Sequence, residues 1–194
     1  MMQKNLWRPF KTSLLLAAIG LQFQACDNAE TTENLPLLGP YMVEDRVVDG
    51  VIKTDTVFTT IRPFTFFDQD SNEITHATIE GKVYVTDFFF TSCPTICPKM
   101  KQQLLRVAEE FQSENDFLIL SHSIDPKRDS VQRLHNFAEK LGVESAKWHL
   151  MTGNRDSIYS MAKHYMIAAQ KDDLAPGGYA HSGAFLVVDK NKQI

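Results

Sequence analysis

The nearly unbroken apolar run at residues 83–90 constrains the fold of this chain more than any other segment. Its β-branched and aromatic residues favour a strand, and the lack of alternation with polar residues indicates burial on both faces. A second run, residues 117–120, has the same character. Strands of this kind occur mainly in parallel sheets that helices cover on both sides. We therefore predict an α/β fold built on a layered sheet.

The rest of the chain alternates in the way such a fold requires. Apolar residues at helical spacing predict three helices: residues 101–111, residues 131–141 after a cap at Asp129 or Ser130, and a helix capped by Asn154. Further short strands are predicted at residues 64–67, 148–151 and 184–188. Near the N-terminus, residues 42–48 and 51–58 flank Asp49-Gly50, which predicts a β-hairpin that extends the layered domain.

Composition limits the function classes. A chain of 194 residues that is 43% hydrophobic and 23% charged is typical of a globular protein with one sizeable core. The net charge of −4 argues against a nucleic-acid partner. The three cysteines, Cys26, Cys93 and Cys97, are too few for a disulfide scaffold or a four-thiolate zinc site.

The first residues are typical of a targeting segment. Basic residues Lys4, Arg8 and Lys11 precede an apolar run at residues 14–21, which is nearer in length to a signal-peptide core than to a membrane span. An alanine and Cys26 follow, as in a bacterial lipoprotein signal. The alternative is an uncleaved membrane anchor with a buried free cysteine at that position.

This reading divides the chain into three parts and places it outside the cytoplasm. The parts are a signal peptide at residues 1–25, a flexible tether at residues 26–40 and a folded domain at residues 41–194. Cys26 is the predicted lipidation site, so we expect a lipid anchor in a bacterial cell membrane and a domain that faces the periplasm.

Cys93 and Cys97 carry the chemistry. They lie where a predicted buried strand gives way to a helix, within Cys-Pro-Thr-Ile-Cys-Pro. Thiols at positions i and i+4 of a helical turn face the same way, and a helix N-terminus favours the thiolate that binds metals or attacks disulfides. Two thiolates and one imidazole would suit Cu(I), and the same pair could close to a disulfide. A pair of core residues or a structural disulfide is the alternative.

Three ordered motifs resemble those of the Sco/SenC/PrrC family. The run at residues 88–100 is similar to its copper-site motif, residues 123–129 to its second signature, and Tyr179-Ala180-His181-Ser182 to its third. The resemblance covers residues 64–189 and implies a thioredoxin-like fold. It also implies a membrane-tethered protein associated with copper delivery to cytochrome c oxidase.

The resemblance implies site residues by position. Cys93, Cys97 and His181 would bind a copper ion, with Asp125 near the site as a supporting residue or as a turn former before Pro126. Between the cysteines, Thr95 and Ile96 stand where family members often have an acidic residue. Among the other histidines, His122 is the reserve candidate because it follows the second buried strand.

The sequence is consistent with two main functions and a weaker third. The first is a copper chaperone for the copper-bearing subunit of cytochrome c oxidase. The second is a thiol-disulfide reductase that keeps the acceptor's cysteines reduced, in which Cys93 attacks, Cys97 resolves and other thiol-disulfide oxidoreductases are partners. A peroxidase of the peroxiredoxin kind is the weaker third.

The C-terminal residues depart from the family. Residues 189–193 are typical of a hairpin turn, but the chain stops at Ile194, whereas family members continue with a strand and a helix. We therefore expect a fold that lacks those last two elements, through truncation or because another chain supplies a strand.

Overall fold

The computed structural model describes residues 35–194. The predicted signal peptide, Cys26 and the first part of the tether lie outside these residues. Within residues 35–194, no helix is both long and apolar enough to cross a membrane.

The described residues form ten strands and three α-helices. The strands are β1 (Tyr41–Val48), β2 (Val51–Phe58), β3 (Thr65–Phe67), β4 (Glu73–Thr75), β5 (Val83–Phe89), β6 (Phe117–Ser123), β7 (Trp148–Met151), β8 (Ala169–Lys171), β9 (Tyr179–His181) and β10 (Leu186–Val188). The helices are α1 (Ile96–Glu110), α2 (Val131–Leu141) and α3 (Arg155–His164). A short 3-10 turn, Pro176–Gly178, precedes β9.

The central sheet has the order β10-β5-β6-β7. Strand β6 runs parallel to both β5 and β7, and β10 is antiparallel to β5. All seven residues of β6 are buried, as are six of the seven in β5. The prediction of an α/β layered sheet with two doubly covered strands is confirmed.

Helices cover both faces of this sheet. Successive side chains of a strand point to opposite faces. Phe89 stacks on Phe137 of α2 and lies under the Lys101 ammonium of α1, whereas Phe88 contacts Tyr165 at the end of α3. Helices α1 and α2 therefore lie on one side of the sheet and α3 on the other.

The helix boundaries largely follow their caps. Ser130 accepts a hydrogen bond from the Arg133 backbone N–H to begin α2, and Gly142 ends that helix in a left-handed conformation. The prediction for α1 was wrong at its start, because the helix begins at Ile96 instead of residue 101. Cys93 thus precedes the helix and Cys97 lies inside its first turn, so the two thiols do not share a helical face as predicted.

Among residues 35–194, three hairpins lie outside the central sheet. The predicted β1–β2 hairpin forms with Val48 opposite Val51, and both residues of the Asp49-Gly50 turn have positive φ. The β3–β4 and β8–β9 hairpins have strands of three residues each, and sequence reasoning missed β4, β8 and β9 as strands. Runs so short carry too little periodicity to be recognised.

Candidate metal centre

The two cysteines lie at the C-terminal end of β5. Phe90 follows that strand, and its carbonyl accepts a hydrogen bond from the Cys93 backbone N–H at 3.2 Å, which bends the chain toward α1. Cys93 is 8% exposed and Cys97 is 4% exposed. Among residues 35–194, neither thiol forms a disulfide. Burial therefore shields both sulfur atoms while leaving them available as ligands.

His181 reaches the cysteines from β9, at the other end of the chain. Its Nε2 lies 3.3 Å from Cys97 Sγ, and its Nδ1 lies 3.0 Å from the Ser182 carbonyl oxygen. A carbonyl oxygen only accepts, so Nδ1 carries the proton and Nε2 of the neutral ring presents its lone pair to Cys97. This is the orientation that a histidine ligand requires.

Cys93, Cys97 and His181 form one cluster. Their sulfur and nitrogen ligand atoms all lie within 4.8 Å of one another. Two thiolates and an imidazole are a soft donor set, which suits Cu(I) better than a hard cation. The chemistry of the three donors therefore fits copper.

The two thiols differ in acidity. Burial opposes ionisation of Cys93, but hydrogen bonds from the Thr95 and Cys97 backbone N–H groups and the Cys97 thiol outweigh it and lower the pKa of Cys93 to about 6. Burial above all, and the neighbouring Cys93 sulfur, raise the pKa of Cys97 to about 12. The predicted lowering by the helix N-terminus thus does not hold for Cys97, because that thiol is the more deeply buried one.

A hydrogen-bond network holds the loop that carries His181. The Tyr179 hydroxyl donates to Asp125 Oδ1 at 2.7 Å, and the Arg128 guanidinium donates to Asp125 Oδ2 at 3.1 Å. Arg128 also reaches the Gly177 carbonyl at 3.4 Å. Asp125 therefore lies outside the ligand cluster and contacts the loop that contains His181. Its main-chain carbonyl also closes the turn that follows, as the alternative reading of this residue required.

Phe90 packs under the same loop. Its ring centroid lies 5.3 Å from that of Tyr179 and 5.9 Å from that of His181. Gly177 has φ +82°, and a Cβ built there would lie 2.7 Å from Phe90 Cε2. The loop can approach the ring only because this residue is glycine.

Sequence reasoning missed a buried ion pair beside the site. Lys101 Nζ lies 3.0 Å from Asp87 Oδ2 and 3.1 Å from Ser121 Oγ, and Trp148 Nε1 donates to the same hydroxyl at 2.8 Å. Lys101 is four residues after Cys97, and its charge favours the Cys97 thiolate. A lysine on the apolar face of α1 and an aspartate within an apolar strand were the available signals.

His122, the reserve candidate, lies in the core and outside the cluster. It stacks on Phe88 with ring centroids 4.8 Å apart, and neither ring nitrogen has a hydrogen-bond partner among the described residues. Burial lowers the pKa of His122 to about 3. The interpretation of His122 as a ligand was wrong, because its side chain points to the α3 face of the sheet.

Comparisons with known proteins agree with this site. The SCO1/SenC family model matches residues 53–194. The SCO1 protein homolog of Bacillus subtilis is 29% identical over 136 residues, which cover 69% of this chain and 70% of that protein.

Solved structures show the same fold. The structure of Arabidopsis thaliana ScoI with copper bound has a TM-score of 0.59 at 25% identity, covering 70% of this chain and 86% of that one. BsSco, described as a Sco-family cytochrome c oxidase assembly protein with a disulfide switch, has a TM-score of 0.60 at 29% identity, with 69% and 79% covered. Both comparisons support the predicted thioredoxin-like fold.

Proposed function

Because the chain belongs to the SCO1/SenC family, we propose that it binds copper through Cys93, Cys97 and His181 and hands it to the copper-bearing subunit of cytochrome c oxidase. The convergence of the three ligand atoms within 4.8 Å carries this proposal. Copper is the cargo of the protein. The structure of Arabidopsis thaliana ScoI with copper bound supports the choice of metal.

The three donor groups suit a soft cation. Cys93 is largely thiolate at neutral pH, since its pKa is lowered to about 6. Cys97 keeps its proton and lies beside the His181 Nε2 lone pair. Copper binding displaces that proton and leaves both thiolates and the imidazole as ligands. Transfer then proceeds as thiolates of the acceptor replace these ligands one at a time.

We also propose that a lipid at Cys26 tethers the chain to a membrane. The apolar run that ends at Cys26 supports cleavage and lipidation there, which would hold the domain at a bacterial cell membrane on its periplasmic face. Mass spectrometry of the protein isolated from membranes tests this step. An unmodified N-terminal Met1 would contradict it.

Copper titration of the full chain tests the ligand set. With a competing Cu(I) chelator, we expect Cys93→Ser, Cys97→Ser and His181→Ala to weaken copper binding at least about tenfold. His135→Ala is the matched control, because that histidine is half-exposed, pairs with Asp70 and lies outside the cluster of ligand atoms. X-ray absorption should show two sulfur neighbours and one nitrogen. Wild-type affinity in His181→Ala would overturn the assignment.

The unequal thiols favour a second function. A nucleophilic Cys93 and a protonated Cys97 suit thiol-disulfide exchange. The Cys93 thiolate would attack the partner's disulfide, and Cys97 would resolve the mixed disulfide. The partner gains two electrons and two protons, and this chain is left with a Cys93–Cys97 disulfide that another thiol-disulfide oxidoreductase must reduce.

A copper chelator separates the two functions. Reduction of a disulfide substrate should survive chelation and the His181→Ala variant if the redox role operates. Copper transfer to the acceptor subunit should be lost under both conditions. Loss of disulfide reduction in the chelator would remove the second function and leave the first intact.

A further inference from the structure

The β1–β2 hairpin is a ribbon with both faces in solvent. All eight residues of β1 and six of the eight in β2 are exposed. Among residues 35–194, no further strand pairs with either edge of this hairpin. An isolated two-stranded hairpin is only marginally stable in water, so pairing with a further strand would stabilise this ribbon.

The exposed surface of the ribbon is apolar near its turn. Val47 is 74% exposed and Ile52 is 68% exposed, and these two residues lie opposite each other. Val51 and Val57 are also exposed. Val47 and Ile52 form an exposed apolar pair on one face of the ribbon, and exposed apolar residues on an unpaired strand mark a contact surface.

The charges of the hairpin do not match within it. Glu44 lies opposite Asp55, and Arg46 lies opposite Lys53, so like charges face each other across the strands. Arg46 forms a diagonal ion pair with Asp55, which offsets its repulsion from Lys53. Lys53 has no ion pair among residues 35–194. Directly opposed like charges are destabilising, which indicates that Lys53 pairs with a carboxylate outside its own hairpin.

The sequence of β2 is complementary to itself when one copy is reversed. Residues 51–57 read Val-Ile-Lys-Thr-Asp-Thr-Val. In an antiparallel pair centred on Thr54, each Lys53 faces the second copy's Asp55, and each Val51 faces the second copy's Val57. Thr54 faces its own equivalent, which is a favourable cross-strand pair.

The backbone permits this register. The two-residue turn makes Val48 and Val51 a hydrogen-bonded pair, and such pairs alternate along an antiparallel ladder. Backbone groups of Val51, Lys53 and Asp55 therefore point to β1. Those of Ile52, Thr54 and Thr56 point to the free edge, and these are the residues that would bond across the axis.

We propose that β2 pairs antiparallel with β2 of a second copy of this chain, about a twofold axis at Thr54. The two hairpins form a four-stranded sheet in the order β1-β2-β2-β1. An antiparallel pair of two β1 edges centred on Asp45 fits less well, because Asp45 would then face the second copy's Asp45. A pair of strands buries little area, so the dimer is weak and forms and dissociates readily.

Disulfide trapping tests the register. In the full chain with Cys93→Ser and Cys97→Ser, Thr54→Cys places two thiols on carbons about 5.5 Å apart, within the range that a disulfide spans. Thr56→Cys is the matched control, because its equivalents lie about 14 Å apart in this register. The parent without an added cysteine measures the background from Cys26.

We expect cross-linked dimer at Thr54→Cys under mild oxidation, in membranes and in detergent, at least about fivefold above Thr56→Cys. Equal yields at the two positions would overturn the proposal. So would cross-linking through Asp45→Cys in place of Thr54→Cys, which would assign the contact to β1.

A charge exchange tests the partner's identity. Lys53→Asp and Asp55→Lys each place like charges across the axis twice, and each should lower the dimer fraction in sedimentation about tenfold. The double variant Lys53→Asp/Asp55→Lys restores opposite charges across the axis and should recover dimerisation. Lys53→Asp turns the like-charge pair of Arg46 and Lys53 into an opposite-charge pair, so a loss of dimer in this variant cannot come from a weaker hairpin. Asp55→Lys also removes the Arg46–Asp55 ion pair within the hairpin, so Lys53→Asp is the decisive single variant. Failure of the double variant to recover would contradict pairing with a second copy.

Discussion

His181 Nε2 lies 3.3 Å from Cys97 Sγ, although 84 positions separate these residues in the chain. The contact depends on a short hairpin, β8–β9, that carries His181 to the first turn of α1. Little regular structure fixes that hairpin, because its strands have three residues each. The site therefore relies on side chains that anchor the loop, above all Tyr179 and Asp125.

Removing the Tyr179 hydroxyl should loosen His181 while the fold persists. Tyr179→Phe deletes the hydrogen bond to Asp125, worth about 1 kcal/mol, so copper affinity should fall about fivefold. Tyr159→Phe is the control, because it deletes a comparable bond, to the Ile124 carbonyl at 2.9 Å, and leaves the Tyr179–Asp125 bond in place. Equal copper affinity in the two variants would contradict a positioning role for Asp125.

Alanine substitutions at the neighbouring Gly177 and Gly178 should distinguish the cost of backbone strain from the cost of a steric clash. Gly177 and Gly178 both have positive φ, so alanine at either costs about 1 kcal/mol in strain. At Gly177 the new Cβ also meets the Phe90 ring, whereas nothing lies within 4 Å at Gly178. Thermal unfolding should show Gly177→Ala to be less stable than Gly178→Ala by about 1–3 kcal/mol, and only Gly177→Ala should weaken copper binding.

Alkylation of the reduced, metal-free protein should report the acidity of Cys93. The thiolate is the reactive form, so the rate with iodoacetamide should fall by half near pH 6, well below the usual value of about 8.5. Folding favours the thiolate, so its contribution to stability is present above about pH 8.5 and is lost as the pH falls through about 6. Cys93→Ser should abolish the fast reaction, because burial keeps Cys97 protonated. A midpoint above pH 8 would contradict the hydrogen bonds assigned to Cys93.

The sheet was predictable because burial on both faces leaves a plain signature. The runs that became β5 and β6 contain almost no polar residue, and Ser130, Gly142 and Asn154 mark helix ends by side-chain chemistry. The position and spacing of Cys93 and Cys97 indicated a reactive pair, and motif resemblance added His181. The proximity of His181 to the two cysteines could not be derived from the sequence, because the strands of the β8–β9 hairpin are too short to show a periodic pattern.

Other features of the site could not be predicted from the sequence because they depend on tertiary contacts. The interpretation of His122 failed because a position after a strand does not reveal which face its side chain occupies. The role of Asp125 needed the position of Tyr179, and the pKa of Cys97 needed its burial.

The buried ion pair beside the site should be non-additive under mutation. Lys101→Met leaves the Asp87 carboxylate buried without a counter-charge, which should cost about 3–5 kcal/mol in the free energy of unfolding. Asp87→Asn/Lys101→Met removes both charges and should cost clearly less. Chemical denaturation of the single variants and the double variant checks this. Simple addition of the single-variant costs would show that the two charges do not interact.

His122 should make the protein sensitive to acid. Burial lowers its pKa to about 3, while in the unfolded chain it titrates near 6.5. Between these values the unfolded state binds one proton more, so stability falls as the pH decreases, by up to about 1.4 kcal/mol per pH unit. His122→Phe retains an aromatic ring against Phe88 and removes this proton uptake. The stability of the variant relative to wild type should therefore rise steadily in urea unfolding from pH 6.5 to pH 4.5. Parallel pH curves for His122→Phe and wild type would refute the assignment.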